Sequence, residues 1–169
     1  MNIRVCLIAS FALLSMSAAF YHGEASTAPA SSDEVIQKAT PSPAGGSVFS
    51  GYRGVTLGTA REETRRKLGE PKEKSDTQDY FVISEGESVQ IMYETDGKVR
   101  TISTNYFGDH AKPPAAKDIF GIDVASEADG AINKLVRYPK DGFWISYVRT
   151  GGKDPMVMIT VQKMNEDGS

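Results

Sequence analysis

The chain has 169 residues, 22 acidic and 19 basic side chains, a net charge of −3, 40% hydrophobic residues and one cysteine. That length suits one domain of ordinary size once a leader and a linker are set aside. The mildly acidic balance argues against nucleic acid or an anionic membrane surface as the main partner.

Residues 1–19 carry Arg4 near the start, an apolar run over 5–14 and the small residues Ser17, Ala18 and Ala19. These are the three zones of a secretory signal peptide, and the run is too short to anchor in a bilayer. The protein is therefore expected to be exported, periplasmic or extracellular, with no membrane span after leader cleavage. Cys6, the only cysteine, lies inside that leader, so the exported chain is expected to have neither a disulfide nor a reactive thiol. Residues 20–47 shift to Ala, Ser, Thr, Pro and Gly, with too little apolar surface to offset the entropy of ordering, and read as a disordered linker. A single domain is expected over 48–164, followed by a disordered tail at 165–169.

The domain opens on residues 54–71, where a helix has both a start and a stop. Thr59 and Glu62 have the spacing of a capping box. Glu62 and Glu63 stand in the first turn and Arg65, Arg66 and Lys67 in the last, the polarity the helix dipole favours. Gly69 permits the closing residue and Pro71 forbids continuation. The run V-T-L-G-T-x-x-E-E-T-x-x-K-L-G-E-P from Val55 to Pro71 resembles the G-x-[ST]-x-x-[DE]-V-x-x-x-L-G-x-P helix of the SmpA/OmlA (BamE-like) envelope proteins, and the beta-lactamase inhibitor protein fold shares the arrangement. Thr64 stands where that family usually has an apolar residue. The resemblance implies short helices packed on an antiparallel sheet whose surface or loops hold a protein partner.

Strand-like runs follow. Residues 80–84 are rich in aromatic and β-branched side chains and end at Glu85-Gly86, Val89, Ile91 and Tyr93 alternate with polar neighbours, and Asp96-Gly97 marks a tight hairpin into 99–106. Val99 and Ile102 lie three apart, which predicts a bulge between them. Residues 107–117 read as a surface connection, and Ile119, Phe120, Ile122 and Val124 as an apolar patch sealing the core edge. A second series covers 134–138, 143–149 and 156–162, with a single turn at most over 124–131. The last run puts Val157, Ile159 and Val161 on one face and Met156, Met158 and Thr160 on the other, so both faces are expected to be covered near its middle. It is also the candidate for an unpaired edge that could pair with a second copy. The fold class is α+β: a short capped helix on an antiparallel meander sheet, with a second three-strand antiparallel series. One continuous sheet, or two small packed ones, is favoured over a true repeat.

No arrangement of catalytic groups emerges. Asp109-His110 would need metal ligands from elsewhere in the chain. Asp76, Asp79, Asp96, Asp118, Asp123 and Asp129 read as turn residues that cap local backbone groups. Glu85 and Glu87 flank a hairpin tip and fit solvent-facing charges better than an acid and base pair. No cofactor is expected. The aromatics Tyr80, Phe81, Tyr93, Tyr106, Phe107, Tyr138, Phe143, Trp144 and Tyr147 concentrate on strands, and most are expected in the core of a cysteine-free domain. Trp144 and Phe143 must point to opposite sides of one strand. Trp144, with Arg137 and Ser146, is thus the candidate partner-binding surface, since Trp and Arg anchor protein interfaces. The function expected is that of an exported, non-catalytic binding or scaffold module for an envelope or secreted protein. A carrier or sensor for a small apolar ligand, and an enzyme working from carboxylates and tyrosines, are the alternatives.

Overall fold

The order of elements in the computed structural model is α1 (Arg61–Leu68), β1 (Glu73–Lys74), β2 (Gln78–Ser84), β3 (Glu87–Tyr93), β4 (Val99–Tyr106), α2 (Ala116–Phe120), β5 (Ile132–Tyr138), β6 (Phe143–Arg149) and β7 (Val157–Lys163). The structure describes Phe49 and residues 51–165. The predicted leader (1–19), the predicted linker (20–47) and all of the predicted tail except Asn165 lie outside the described residues.

The strands form one seven-stranded antiparallel sheet in the order β1-β2-β3-β4-β7-β6-β5, which is the α+β architecture expected, with a single continuous sheet. Each three-strand meander ends at the centre, where β4 pairs with β7 from Thr101↔Gln162 to Tyr106↔Val157. The expectation that residues 156–162 form an unpaired edge is therefore wrong. β7 is held on both sides, and the edges are the two-residue β1 and the seven-residue β5. The bulge lies in β4: Met92 pairs with Thr101 and Tyr93 with Val99, which leaves Arg100 as the extra residue.

One face of the sheet carries the core in two clusters. Phe81, Val89, Ile91, Tyr93, Val99 and Ile102 pack with Tyr52 and Val55, which precede α1, and with Leu68 from the helix itself. Val136, Tyr138, Ile145, Tyr147, Ile159 and Val161 pack with Ile119 and Phe120 of α2. The apolar patch read at Ile119 to Val124 is thus split by a short helix that closes at Gly121 with φ 70°. Ile119 and Phe120 are buried, while Ile122 is exposed. On β7 only Val157, Ile159 and Val161 are covered; Met158 is 43% exposed, so the strand is not covered on both faces.

α1 stops as read, with Gly69 at φ 91° and its N–H on the Arg65 carbonyl at 2.8 Å. It starts differently. Ala60 is the N-cap and no side chain caps the first turn, so the Thr59–Glu62 capping box does not form. Thr59 is already committed: its Oγ1 accepts from the Thr56 N–H at 3.1 Å, and its carbonyl accepts from the Val99 N–H at 2.9 Å. The two groups the box needs are both taken by Thr56, whose carbonyl also accepts from the Thr59 N–H at 3.1 Å. Thr64 is fully buried, and its hydroxyl donates to the Ala60 carbonyl at 3.1 Å. A hydroxyl at a core position is tolerated because the preceding turn satisfies it.

The β2–β3 turn depends on a close approach. A Cβ on buried Gly86 would stand 2.7 Å from the Phe107 carbonyl oxygen and 3.0 Å from the Ala111 nitrogen, both backbone atoms. Gly86→Ala is expected to destabilise the fold by about 1–3 kcal/mol, the usual range for overpacking. Urea denaturation of the two proteins measures it, and equal midpoints would contradict the crowding.

Candidate functional site

The face of the sheet that carries neither core cluster is assembled by register, because residues directly paired across antiparallel strands share a face; among its residues Thr101 and Ser88 are buried and the rest are half-buried or exposed. It has three rows. The first runs Gln78, Met92, Thr101, Gln162, Trp144, Arg137. The second runs Tyr80, Gln90, Ser103, Thr160, Ser146, Leu135, and Glu73 of β1 extends it beyond Tyr80. The third runs Val82, Ser88, Asn105, Met158, Val148, Asn133.

The three residues read as a binding surface come together here. Arg137 pairs directly with Trp144, Ser146 lies two positions further along β6, and all three are half-buried. Phe143 turns to the other face, where it stacks on Tyr138 with ring centroids 5.0 Å apart. Of the remaining aromatics, Phe81, Tyr93, Tyr106, Tyr138 and Tyr147 are buried, and Tyr80 joins Trp144 on the open face.

Two features set this face apart. In a chain whose residues are 24% charged, the three rows carry one cation, Arg137 at the β5 edge, and one carboxylate, Glu73 at the β1 edge. Between them stand amides and hydroxyls that bond within and between the rows: the Gln90 side-chain amide donates to Gln78 Oε1 of the first row at 3.1 Å, the Thr101 hydroxyl to Gln162 Oε1 at 3.3 Å, and the Ser103 and Thr160 hydroxyls lie 3.1 Å apart. Exposed apolar side chains also gather there. Val82 (57%), Met92 and Met158 are on this face, whereas the other exposed large hydrophobics among the described residues, Ile122 and Met156, lie outside the rows. Sequence reasoning missed Gln78, Gln90, Ser103, Gln162, Val82 and Met92 as part of the surface. Alternation places each on one side of its own strand, but only the β4–β7 pairing joins the two halves into one face.

The buried charge is on the opposite face. Asp79, read from sequence as a turn residue, lies within β2 and is fully buried. Its Oδ1 accepts from Arg65 Nη2, and its Oδ2 accepts from Arg65 Nε and the Tyr93 hydroxyl, each at 2.8 Å. Burial alone would raise the Asp79 pKa, but the hydrogen bonds from Arg65 and Tyr93 outweigh it and hold the carboxyl below its ordinary range. Burial and the bond to Asp79 push the Tyr93 phenol upward. Arg61 lies over the Tyr93 ring, 4.8 Å from its centroid. This cluster ties α1 to β2 and β3. Among the other aspartates, Asp96 and Asp129 do accept from local backbone, at the Lys98 and Ala131 amides, and Asp118 accepts from the Ala115 amide at the start of α2.

Glu87 accepts from the Tyr52 hydroxyl at 2.7 Å and from Arg53 at 3.1 Å, so it is engaged on the core side of β3 rather than facing solvent beside Glu85. The loop end of the sheet holds two open clefts. One, of 350 Å³, is lined by Glu85, Gly86, Phe107, Asp109 and His110; the other, of 280 Å³, by Tyr106, Asp109, Arg149, Lys153 and Val157 among others. Among the described residues no group of three or more His, Cys, Asp or Glu side chains could hold a metal ion, and no helix is long and apolar enough to cross a membrane. No family model matches the chain, and no curated protein and no solved structure matches it either.

Proposed function

We propose that this protein is an exported, non-catalytic binding module of the bacterial cell envelope, and that it holds another protein against the open face of its sheet. The observation that carries this reading is the makeup of that face: a nearly uncharged field of amides and hydroxyls in which Trp144, Tyr80, Val82, Met92 and Met158 supply apolar contact. Depletion of charge together with aromatic and methionine side chains is the compositional mark of an interface core. The leader-like residues 1–19 support export, and the resemblance of Val55 to Pro71 to the BamE-like helix supports an envelope setting. Trp144, Arg137 and Ser146 are the proposed contact residues, with Trp144 as the anchor.

A photo-crosslinking amino acid at Ser146, compared with one at exposed Arg66 on α1, tests this in cells. A protein adduct is expected from position 146 and none from position 66. Trp144→Ala is expected to lower its yield about tenfold or more, since a hot-spot aromatic contributes at least about 2 kcal/mol. Equal adducts from both positions, or none from Ser146, would reject the face as the binding surface.

A further inference from the structure

We infer that the partner of this face is a second copy of the same chain, stacked sheet on sheet about a twofold axis parallel to β4. The inference rests on the reading that the open face is the binding surface, and it names the occupant.

Charge placement is the first argument. In a twofold interface a charge near the axis meets its own copy, whereas opposite charges at opposite edges of the patch meet each other. The charges here are of the second kind. Arg137 lies on β5 at one edge and Glu73 on β1 at the other, with uncharged side chains in every paired position between them. A twofold axis in the interface, parallel to β4, lays β7 over the second copy's β3, β6 over its β2 and β5 over its β1. Arg137 of each copy then stands above the β1 edge that carries Glu73 of the other, one row away, within reach of two long side chains. The same operation lays Trp144 over the second copy's Gln78 and Val82 over its Val148, because the rows superpose on themselves. An axis perpendicular to the strands through the middle row would instead lay β5 on β5, with Arg137 over the second copy's Asn133 and far from Glu73.

Area is the second argument. Seven strands spaced about 4.8 Å apart and about 3.3 Å per residue along each give a face on the order of 700 Å². That is close to the roughly 800 Å² per partner that a stable interface of standard size buries. Aligned stacking of two antiparallel sheets through their side-chain faces is the ordinary geometry of a β-sandwich.

The full chain is examined by sedimentation over a concentration series, with the fluorescence of Trp144, the only tryptophan, as a local probe. The wild type is expected to double in mass as concentration rises, with a blue shift of Trp144 emission over the same range. Thr160→Arg, at the middle of the face, is expected to remain a monomer with an unchanged circular dichroism spectrum. Arg137→Glu is expected to raise the dissociation constant severalfold, and Arg137→Glu combined with Glu73→Arg to restore it, a rescue that a folding defect would not show. A wild type that stays monomeric at every concentration overturns the inference. So does a dimer that survives Thr160→Arg, which would belong to another surface such as the β5 edge, and so does failure of the double exchange to recover what the single one loses. A monomeric chain that still yields a foreign-protein adduct from position 146 overturns this inference and leaves the binding-face reading standing. Absence of any adduct, of either mass, removes both.

Discussion

Asp79→Ala is expected to destabilise the protein by about 3–5 kcal/mol, the usual consequence of deleting one partner of a buried ion pair. The substitution removes the acceptor for three hydrogen bonds and leaves the Arg65 guanidinium and the Tyr93 hydroxyl facing a small apolar void beneath α1. Arg65 retains 25% side-chain exposure, so water compensates part of its loss and the effect is expected toward the lower end. Replacing the whole cluster differs from breaking it: Arg65→Met, Asp79→Leu and Tyr93→Phe together leave no unpaired polar group and are expected to recover most of the stability. Equilibrium urea unfolding of the single and triple variants decides the matter. A single variant within about 0.5 kcal/mol of wild type, the range of ordinary surface changes, would show that the cluster does not hold α1 down.

The same carboxylate has an acid signature. Its pKa is lower in the folded state than the roughly 3.9 of an unfolded chain. A group depressed in this way contributes stability that is fully present above the unfolded pKa and lost as pH falls through the folded one. The wild type is therefore expected to lose stability as pH drops below about 4. Asp79→Asn, which has no proton to take up at that position, is expected to start lower and descend less steeply, so that the two curves converge in acid.

Local pattern made much of this fold readable before any coordinates. β4 and β6 occupy the expected spans, because a period of two ending at Asp96-Gly97 or at Pro139 to Gly142 is a property of adjacent residues. The bulge at Arg100 was visible as a broken alternation between Val99 and Ile102 for the same reason. What failed has two sources. The capping box at Thr59 was chemically sound, but a rival local turn with Thr56 takes its hydroxyl and N–H, while the Val99 N–H, some forty residues on, takes its carbonyl. Asp79 sits among polar neighbours and reads as a turn residue; only the fold of α1 over β2 supplies the Arg65 and Tyr93 that make its burial tolerable. The surface divides likewise. Trp144, Ser146 and Arg137 were within reach because one hairpin holds all three, whereas the half of the face on β2 and β3 waits on the central β4–β7 ladder.

Phe120→Ala is the substitution expected to match Asp79→Ala in cost, about 3–5 kcal/mol, and for a different reason. A five-residue helix has no independent stability, since a single turn closes too few hydrogen bonds to offset the order it imposes. α2 is kept in place by Ile119 and Phe120, both essentially inaccessible, against Val136, Tyr138, Ile145 and Tyr147. Removing the ring opens a cavity in the second core and releases its cover together, so relaxation of the helix cannot refill the space without exposing Ile119. Ile122, read with Phe120 as one apolar patch, is 38% exposed, and Ile122→Ala is expected to stay within about 0.5 kcal/mol of wild type. The two variants, compared by equilibrium unfolding and by exchange of the Gly121 amide that closes α2 on the Lys117 carbonyl, separate a helix held by its core contact from one held by its own turn. Equal stability of the two proteins would refute the first. The unfolding of Phe120→Ala is also expected to remain a single transition, because β4 contributes Tyr106 to this core and Val99 and Ile102 to the other, and the six β4–β7 pairs leave no seam along which one half can open alone.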